Sequence, residues 1–178
     1  ISPGQVVNSF ADFALAPQRL DEMAVPQDNR TCVLSPADQW GMLGSQTALY
    51  LQGPAGGAYR NGELGMIGGV NTMMSQVVPT HTVGPLGGTP LVNGAAQNVT
   101  YDTAKNTWAQ SLITDGWTAA AANRLKHGDV FTIANVFMVN PKTRATTNIL
   151  QQFVVNADVS SDAGGNLTAN ISPPIVKI

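Results

Sequence analysis

The chain changes character near its middle, and this change constrains its fold more than any other feature of the sequence. Residues 1–83 alternate short helix and strand signals, whereas the residues from Gly84 onward are almost wholly of β character. The segment Gly84-Pro85-Leu86-Gly87-Gly88-Thr89-Pro90 marks the change, because glycine and proline interrupt regular structure. The sequence therefore predicts an α+β fold in two domains, residues 1–83 and residues 84–178.

Helices in the first domain are predicted from caps and prolines. Ser2-Pro3 is typical of a helix start, and hydrophobic residues follow it at helical spacing. Pro17 predicts a break in that helix, because proline removes a backbone hydrogen bond, and a second short helix is expected to reach Ala24. Ser35-Pro36-Ala37-Asp38 predicts a further helix that ends near Gly44, with Ser35 as its N-cap.

The remaining segments of the first domain read as strands, one more helix and a loop. Arg30–Leu34 and the run from Gly65 to Pro79 predict short strands, the latter kinked at a pair of glycines. Gln46–Leu51 is expected to be helical. Gly53–Gly62 is expected to be a glycine-rich loop that carries Tyr59 and Arg60.

The second domain is predicted to be a small antiparallel β-barrel. Turn-forming residues separate its hydrophobic runs, and a closed barrel removes the exposed edges of so many short strands. The six predicted strands are Asn98–Tyr101, Ala109–Ile113, Val130–Ile133, Val136–Val139, Gln151–Val159 and Asn166–Ile171.

A surface that is poor in charge favours a protein that meets other subunits. Charged residues make up only 11% of the chain, against about 25% in an average globular protein. Charge is also depleted at the cores of protein interfaces. The formal net charge of −2 argues against a general nucleic-acid clamp, which needs a basic face. A local excess of Arg124, Lys126, Lys142 and Arg144 is either a solvated rim or an electrostatic contact.

The sequence predicts no catalytic residue, no cofactor site and no metal site. His81 and His127 have no second histidine, cysteine or carboxylate at metal-ligand spacing, and the single cysteine, Cys32, reads as part of a buried strand. No phosphate loop, dinucleotide motif or nucleophile elbow is present. A hydrolase of unfamiliar type would need His81 or His127 hydrogen-bonded to a serine or aspartate in a cleft. The chain is therefore interpreted as a protein that is not an enzyme.

Two stretches resemble the major coat proteins of tailed phages. The first is Gly65-Met66-Ile67-Gly68-Gly69-Val70-Asn71-Thr72-Met73-Met74-Ser75-Gln76-Val77-Val78-Pro79-Thr80-His81, preceded by the helix–strand–helix run from Gln18 to Leu43. The second comprises Leu125-Lys126-His127-Gly128-Asp129-Val130-Phe131-Thr132-Ile133-Ala134-Asn135-Val136 and the later Leu150-Gln151-Gln152-Phe153-Val154-Val155. It is similar to the inserted β-barrel of the short-tailed-phage gene-five coat family.

The resemblance implies a mechanical role. It implies that many copies pack into an icosahedral shell around DNA, with a scaffolding protein as a further partner of the complete protein. No membrane partner is expected, and the implied location is the virion, after a stage in the bacterial cytoplasm. Residues 1–83 would be part of the central domain of a capsomer and residues 84–178 the inserted barrel. The long spine helix of such proteins has no counterpart here, so an internal fragment is expected.

Two loops are the candidate subunit contacts that follow from this resemblance. They are the barrel loop Asn140–Asn148 with Lys142 and Arg144, and the glycine-rich loop with Tyr59 and Arg60. The alternative function is a carbohydrate-binding or tail-associated β-module, which would expose Trp108 and Trp117 to a ligand.

Overall fold

The computed structural model describes residues 7–45, 62, 64–140 and 142–177. Two compact units can be distinguished in this part of the chain. The residues up to Thr80, together with the segment Asn140–Ala145, form the first unit, and His81–Val139 with the residues from Thr146 onward form the second. Three helices and eight strands occur among the described residues, and the mixed α and β content confirms the predicted class at this level.

The first helix of the chain, α1, spans Phe10–Glu22. Ser9 is its N-cap, and the Ser9 hydroxyl accepts a hydrogen bond of 3.2 Å from the Asp12 N–H. This bond satisfies one of the N–H groups that the first turn of any helix leaves free. The Ser2-Pro3 signal lies outside the described residues, and the first described residues after it are not helical until Phe10.

The predicted break at Pro17 is wrong, because Pro17 lies inside α1. A proline within a helix typically costs about 3 kcal/mol, since it has no N–H to donate to the residue four positions earlier. Here Phe13 on the same helix is 2% exposed, and caps at both ends hold the helix in place. Packing and capping therefore outweigh the local preference.

A three-stranded sheet accompanies the helices in the first unit. Strands β1 (Thr31–Leu34), β2 (Met66–Ile67) and β3 (Val70–Met74) have the order β1-β3-β2, with β1 parallel and β2 antiparallel to β3. Helix α2 spans Pro36–Ser45. A hydrophobic core joins these elements through residues from α1, β1, α2 and β3, namely Phe13, Leu34, Met42 and Val70.

Several predictions for this unit are confirmed. The Ser35 hydroxyl accepts a hydrogen bond of 3.2 Å from the Asp38 N–H, so Ser35 caps α2 as predicted. Strand β1 falls within the predicted segment, and the glycine pair Gly68-Gly69 makes the turn between β2 and β3. The predicted helix Gln46–Leu51 and the predicted loop Gly53–Gly62, except Gly62 itself, lie outside the described residues.

The second unit contains a curled antiparallel sheet, a half-barrel of five strands. Their order is β4-β5-β8-β7-β6. The strands span Gly88–Val92 (β4), Gln110–Trp117 (β5), Val130–Val139 (β6), Thr146–Val155 (β7) and Leu167–Ser172 (β8), and helix α3 covers Tyr101–Thr107 between β4 and β5.

One face of this sheet carries the core of the second unit. Buried and exposed residues alternate along β8, where Leu167, Ala169 and Ile171 point inward. Such alternation is expected when only one face of an antiparallel sheet is covered. The buried core consists of Leu112, Leu125, Phe153, Val155, Leu167, Ala169 and Ile171.

The strand prediction for Asn98–Tyr101 is wrong. Tyr101 begins helix α3, and the hydroxyl of its N-cap, Thr100, accepts a hydrogen bond of 3.3 Å from the Thr103 N–H. Val99 makes only a single bridge, to Val176. The N-cap Thr100 therefore determines the local structure, although the β-branched residues before the helix favour a strand.

Several further strand boundaries differ from the prediction. Strand β5 continues to Trp117, and β7 begins at Thr146 and ends at Val155, so the predicted loop Asn140–Asn148 ends at Ala145. The predicted loop that starts at Gly84 already becomes strand β4 at Gly88. The two strands predicted on either side of Ala134 form a single strand, β6, whose register with β7 shifts between Thr132 and Phe137. The predicted interruption is thus present as a bulge, which adds residues to one strand without ending it.

Candidate functional site

The turn between β6 and β7 carries the two basic residues that the sequence singled out. Lys142 and Arg144 are both exposed, on a segment that runs from Asn140 to Ala145. Neither side chain takes part in an ion pair with any residue that the structure describes. Two positive charges are therefore presented to solvent on one short turn.

Asn140 fixes the backbone of this turn. Its side-chain oxygen accepts hydrogen bonds from the Lys142 N–H at 2.9 Å and from the Thr143 N–H at 3.1 Å. Its main-chain carbonyl accepts from the Arg144 N–H at 2.8 Å. An asparagine that bonds to the backbone ahead of it favours a tight turn. Arg144 has a φ of 57°, in the left-handed region, which such a turn imposes.

Asn140 also contacts α1 within the first unit. Its Nδ2 donates a hydrogen bond of 3.1 Å to the Glu22 carbonyl, at the last residue of that helix. The turn therefore has an anchor outside its own loop. Tyr59 and Arg60, the other two predicted contact residues, lie outside the described residues.

A buried polar cluster of the second unit is centred on Asp129, which is 2% exposed. His81 Nε2 lies 2.6 Å from Asp129 Oδ1, and the carboxylate also accepts from the Lys126 N–H at 2.8 Å and the Gly84 N–H at 3.1 Å. This is the histidine–aspartate contact that a hydrolase would need. However, all three partners donate hydrogen bonds to the Asp129 carboxylate. These contacts connect separate segments of the chain and stabilise the fold.

Burial alone would raise the pKa of Asp129, but the hydrogen bonds it accepts act in the opposite direction. The Lys126 N–H, the His81 ring and the Gly84 N–H together hold the pKa of this carboxyl below its usual range. Asp129 therefore stays ionised at neutral pH. No serine or cysteine is hydrogen-bonded to His81 among the described residues, so the pair has no nucleophile to activate.

The other candidates for chemistry are also without partners suited to catalysis. The pKa of the Cys32 thiol is raised, first by burial and then by the negative charge of Asp38, which disfavours the reactive thiolate. The backbone N–H of exposed His127 donates to Asp158 at 2.7 Å. Within residues 7–45, 62, 64–140 and 142–177, no group of histidine, cysteine and acidic residues could hold a metal ion.

The tryptophans named for the carbohydrate alternative have different environments. Trp108 is 65% exposed at the C-cap of α3. Trp117 packs against the core of the second unit, and its indole N–H donates to the Thr114 hydroxyl at 2.8 Å. Only Trp108 of these two thus offers a largely free ring, and nothing in the fold favours the carbohydrate alternative.

The role of Asp129 was missed by the sequence analysis, where this residue appears only within the stretch that resembles the coat-protein barrel. Its signal was present in the turn Lys126-His127-Gly128-Asp129, where an aspartate can accept from the N–H at the start of its own turn. The contact with His81 spans 48 positions of sequence and has no local signal.

No helix in the described part of the chain is both long and apolar enough to cross a membrane.

Comparison with known proteins agrees with the resemblance. No curated protein matches the chain significantly. A family model, described as P22 coat protein, gene protein 5, matches residues 1–178. Coat proteins of this family are structural rather than enzymatic, and they assemble with copies of themselves into a capsid. The chain belongs to the P22 coat protein (gene protein 5) family, and its role is that of a structural capsid protein of a phage.

Proposed function

We propose that the turn Asn140–Ala145 is a contact between neighbouring copies of the coat protein, with Lys142 and Arg144 facing carboxylates of the next copy. The observation that carries this proposal is that both cations are exposed and without an ion pair among the described residues, on a turn fixed by Asn140. Complementary charge selects partners and orients them as they meet.

The backbone of the turn is ordered before any partner binds. Its three hydrogen bonds to Asn140 define the path from Lys142 to Arg144. Association is less costly when the contacting segment is already held in its bound conformation, because less conformational entropy is lost. The surface of the chain is otherwise poor in charge, so two adjacent cations can act with little competition.

Charge reversal in the complete coat gene product tests this proposal. We expect Lys142→Glu combined with Arg144→Glu to reduce the yield of shells seen by electron microscopy. The matched control is Lys177→Glu, which reverses an exposed cation of the second unit and is compared with Lys142→Glu alone, because each variant changes the net charge by the same amount. Normal shells from the double variant would contradict the contact proposed here, whereas equal damage from Lys177→Glu would point to net charge as the cause.

The domain roles form a second part of the proposal. We infer that residues 1–83 belong to the central domain of a capsomer and that residues 84–178 are an inserted β-barrel domain. The separate cores of the two units and the curled sheet of the second support this assignment, with the exception of Asn140–Ala145, which groups with the first unit. The shell is icosahedral and encloses DNA, a scaffolding protein takes part in its assembly, and the subunits reside in the bacterial cytoplasm beforehand. The family match supports these steps.

The contribution of Tyr59 and Arg60 to subunit contacts is a separate element of the proposal. It rests on the composition of the glycine-rich loop that carries them. Substituting both residues by alanine in the complete gene product tests it. We expect fewer shells at unchanged expression, and an unchanged yield of shells would remove this loop from the assembly surface.

A further inference from the structure

An Asn-Gly dipeptide lies directly after strand β4. Asn93-Gly94 follows Val92, the last residue of that strand, and both residues of the dipeptide are exposed. Gly94 has a φ of 98° and no Cβ, and a Cβ built there would meet only the Gln97 side-chain nitrogen, at 3.9 Å. The space around the junction of Asn93 and Gly94 is therefore open, as ring closure between a side chain and the next backbone nitrogen requires.

Both backbone groups of Asn93 form hydrogen bonds, whereas the backbone N–H of Gly94 forms none with the described residues. The Asn93 N–H donates to the Ile113 carbonyl at 3.0 Å, and the Asn93 carbonyl accepts a hydrogen bond from Gln97 Nε2. Gly94 N–H and the Asn93 side chain form no hydrogen bond with any described residue. The nitrogen that would attack and the carbon that it would attack are thus both unengaged.

Gln97 holds the carbonyl of Asn93 in a polarised state. Its Oε1 accepts from the Ile113 N–H at 2.6 Å, and its Nε2 also donates to the Ile113 carbonyl at 2.9 Å, so the amide group is fixed against β5. A hydrogen bond to the Asn93 carbonyl withdraws electrons from the peptide group. This makes the Gly94 N–H more acidic, and the deprotonated nitrogen is the attacking species.

We propose that Asn93 is a site of spontaneous deamidation in the folded protein. The Gly94 nitrogen loses its proton to solvent base and bonds to Cγ of Asn93, and the side-chain amide leaves as ammonia. A five-membered succinimide results. Water then adds to one of its two carbonyl carbons and opens the ring, which gives aspartate or isoaspartate. No oxidant or reductant takes part, and water is the only co-reactant.

A second dipeptide shows why the local fold matters. Asp115-Gly116 has the sequence to form the same ring, but it lies within β5, where Asp115 is paired with Leu91. A Cβ on Gly116 would collide with the Thr89 carbonyl, so no space is open around this junction. The structure therefore predicts reaction at Asn93 and protection at Asp115.

The reaction would change the edge of the sheet in two ways. Each event adds a negative charge to a chain whose formal net charge is −2. In isoaspartate the main chain passes through Cβ and Cγ, which adds one carbon to it, and the backbone carbonyl that accepts from Gln97 becomes part of a free carboxylate. The modified end of β4 can no longer make its bonds to Ile113 and Gln97 in the same geometry.

Peptide mapping by mass spectrometry tests the proposal. The purified chain is incubated at neutral and at alkaline pH, and a parallel sample is kept unfolded in urea to give the unprotected rate. Cleavage after Glu63 separates Asn93 from the other Asn-Gly pair of the sequence, Asn61-Gly62. Asn93→Gln is the test variant, because its longer side chain disfavours the ring, and Asn61→Gln is the matched control.

We expect the peptide that contains Asn93 to lose ammonia and gain water in the folded chain at least as fast as in the unfolded chain. The rate should rise with pH, isoaspartate should be detected, and Asn61→Gln should leave the reaction intact while Asn93→Gln abolishes it. Folded protein that reacts at Asn93 an order of magnitude more slowly than unfolded protein would overturn the proposal, and so would faster isomerisation at Asp115 than deamidation at Asn93.

Discussion

The Cβ position of Gly88 is blocked by the carbonyl oxygen of Gly116, so the backbones of β4 and β5 touch where these two glycines meet. A Cβ on Gly116 would in turn collide with the Thr89 carbonyl. The register of the two strands shifts in the same stretch, between Gly88 and Leu91. Close approach of two backbones at a strand irregularity is a position that only glycine can occupy.

Replacing Gly116 by alanine is predicted to destabilise the second unit. Gly116 has a φ of 74°, in a region that L-residues reach only with strain, and the added methyl group would also push against the Thr89 carbonyl. We expect the free energy of unfolding to fall by about 2–4 kcal/mol, because strain and steric collision add. Urea unfolding followed by circular dichroism measures this loss.

Gly94→Ala is the control that separates these two causes. Gly94 also has positive φ, but the space around it is open. Strain alone should cost about 1–2 kcal/mol there. Equal losses for the two variants would show that the contact between β4 and β5 is looser than the structure indicates.

The core of the second unit is predicted to depend strongly on Phe153. This residue is fully buried on β7 and its ring lies 5.8 Å from that of Phe131, centroid to centroid. Phe153→Ala should lower the free energy of unfolding by about 3–5 kcal/mol through lost burial and a remaining cavity. The next residue, Val154, is 38% exposed and points to the other face, so Val154→Ala in a urea titration should cost far less. Similar costs would mean that the register of β7 is wrong.

Local signals predicted the fold where caps and alternation act within a few residues. Ser35 caps α2 as expected, and β8, at Leu167–Ser172, lies within one residue of the predicted strand Asn166–Ile171 because its alternation is regular. The sequence-based predictions were wrong where contacts between distant residues determine the local structure. Pro17 stays within α1, and the exposed strand β4 exists through its pairing with β5, which no local pattern indicates.

The candidate contact turn shows the same limit. Its turn residues were predictable, since Asn140 and Pro141 are typical of a turn, and its two cations are visible in the sequence. The bond from Asn140 to Glu22 was not predictable, because 118 positions separate the two residues. Whether Lys142 and Arg144 form ion pairs could not be predicted either, because this depends on which residues the folded chain brings close to the turn.

Asp129 is predicted to make the second unit sensitive to acid. The pKa of this carboxyl is lower in the folded chain than in the unfolded chain, so its ionised form stabilises the fold at neutral pH. This stabilisation is present above the unfolded pKa, about 3.9, and is lost as the pH falls through the lower folded value. Asp129→Asn should reduce the free energy of unfolding at neutral pH by about 1–3 kcal/mol, because hydrogen bonds to a charged acceptor are replaced by weaker ones.

Urea titrations between neutral and acidic pH measure this effect. The difference between the wild-type chain and Asp129→Asn should shrink as the pH falls, since protonation removes the same charge from the wild type. Asp102→Asn serves as the control, because Asp102 is a highly exposed carboxylate paired only on the surface. A difference that stays constant down to low pH would contradict the assigned role of the Asp129 charge.

Cys32 is predicted to react slowly with alkylating reagents in the folded chain. Burial raises the pKa of its thiol, and the negative charge of Asp38 acts in the same direction, so less thiolate is present at neutral pH than in a free cysteine. Alkylation followed by mass spectrometry should therefore be slow in buffer and fast in urea. The pH at which the folded chain reaches half of its maximum rate should lie above that of the unfolded chain. Equal rates and equal pH profiles in the two states would show that the environment of β1 leaves this thiol unperturbed.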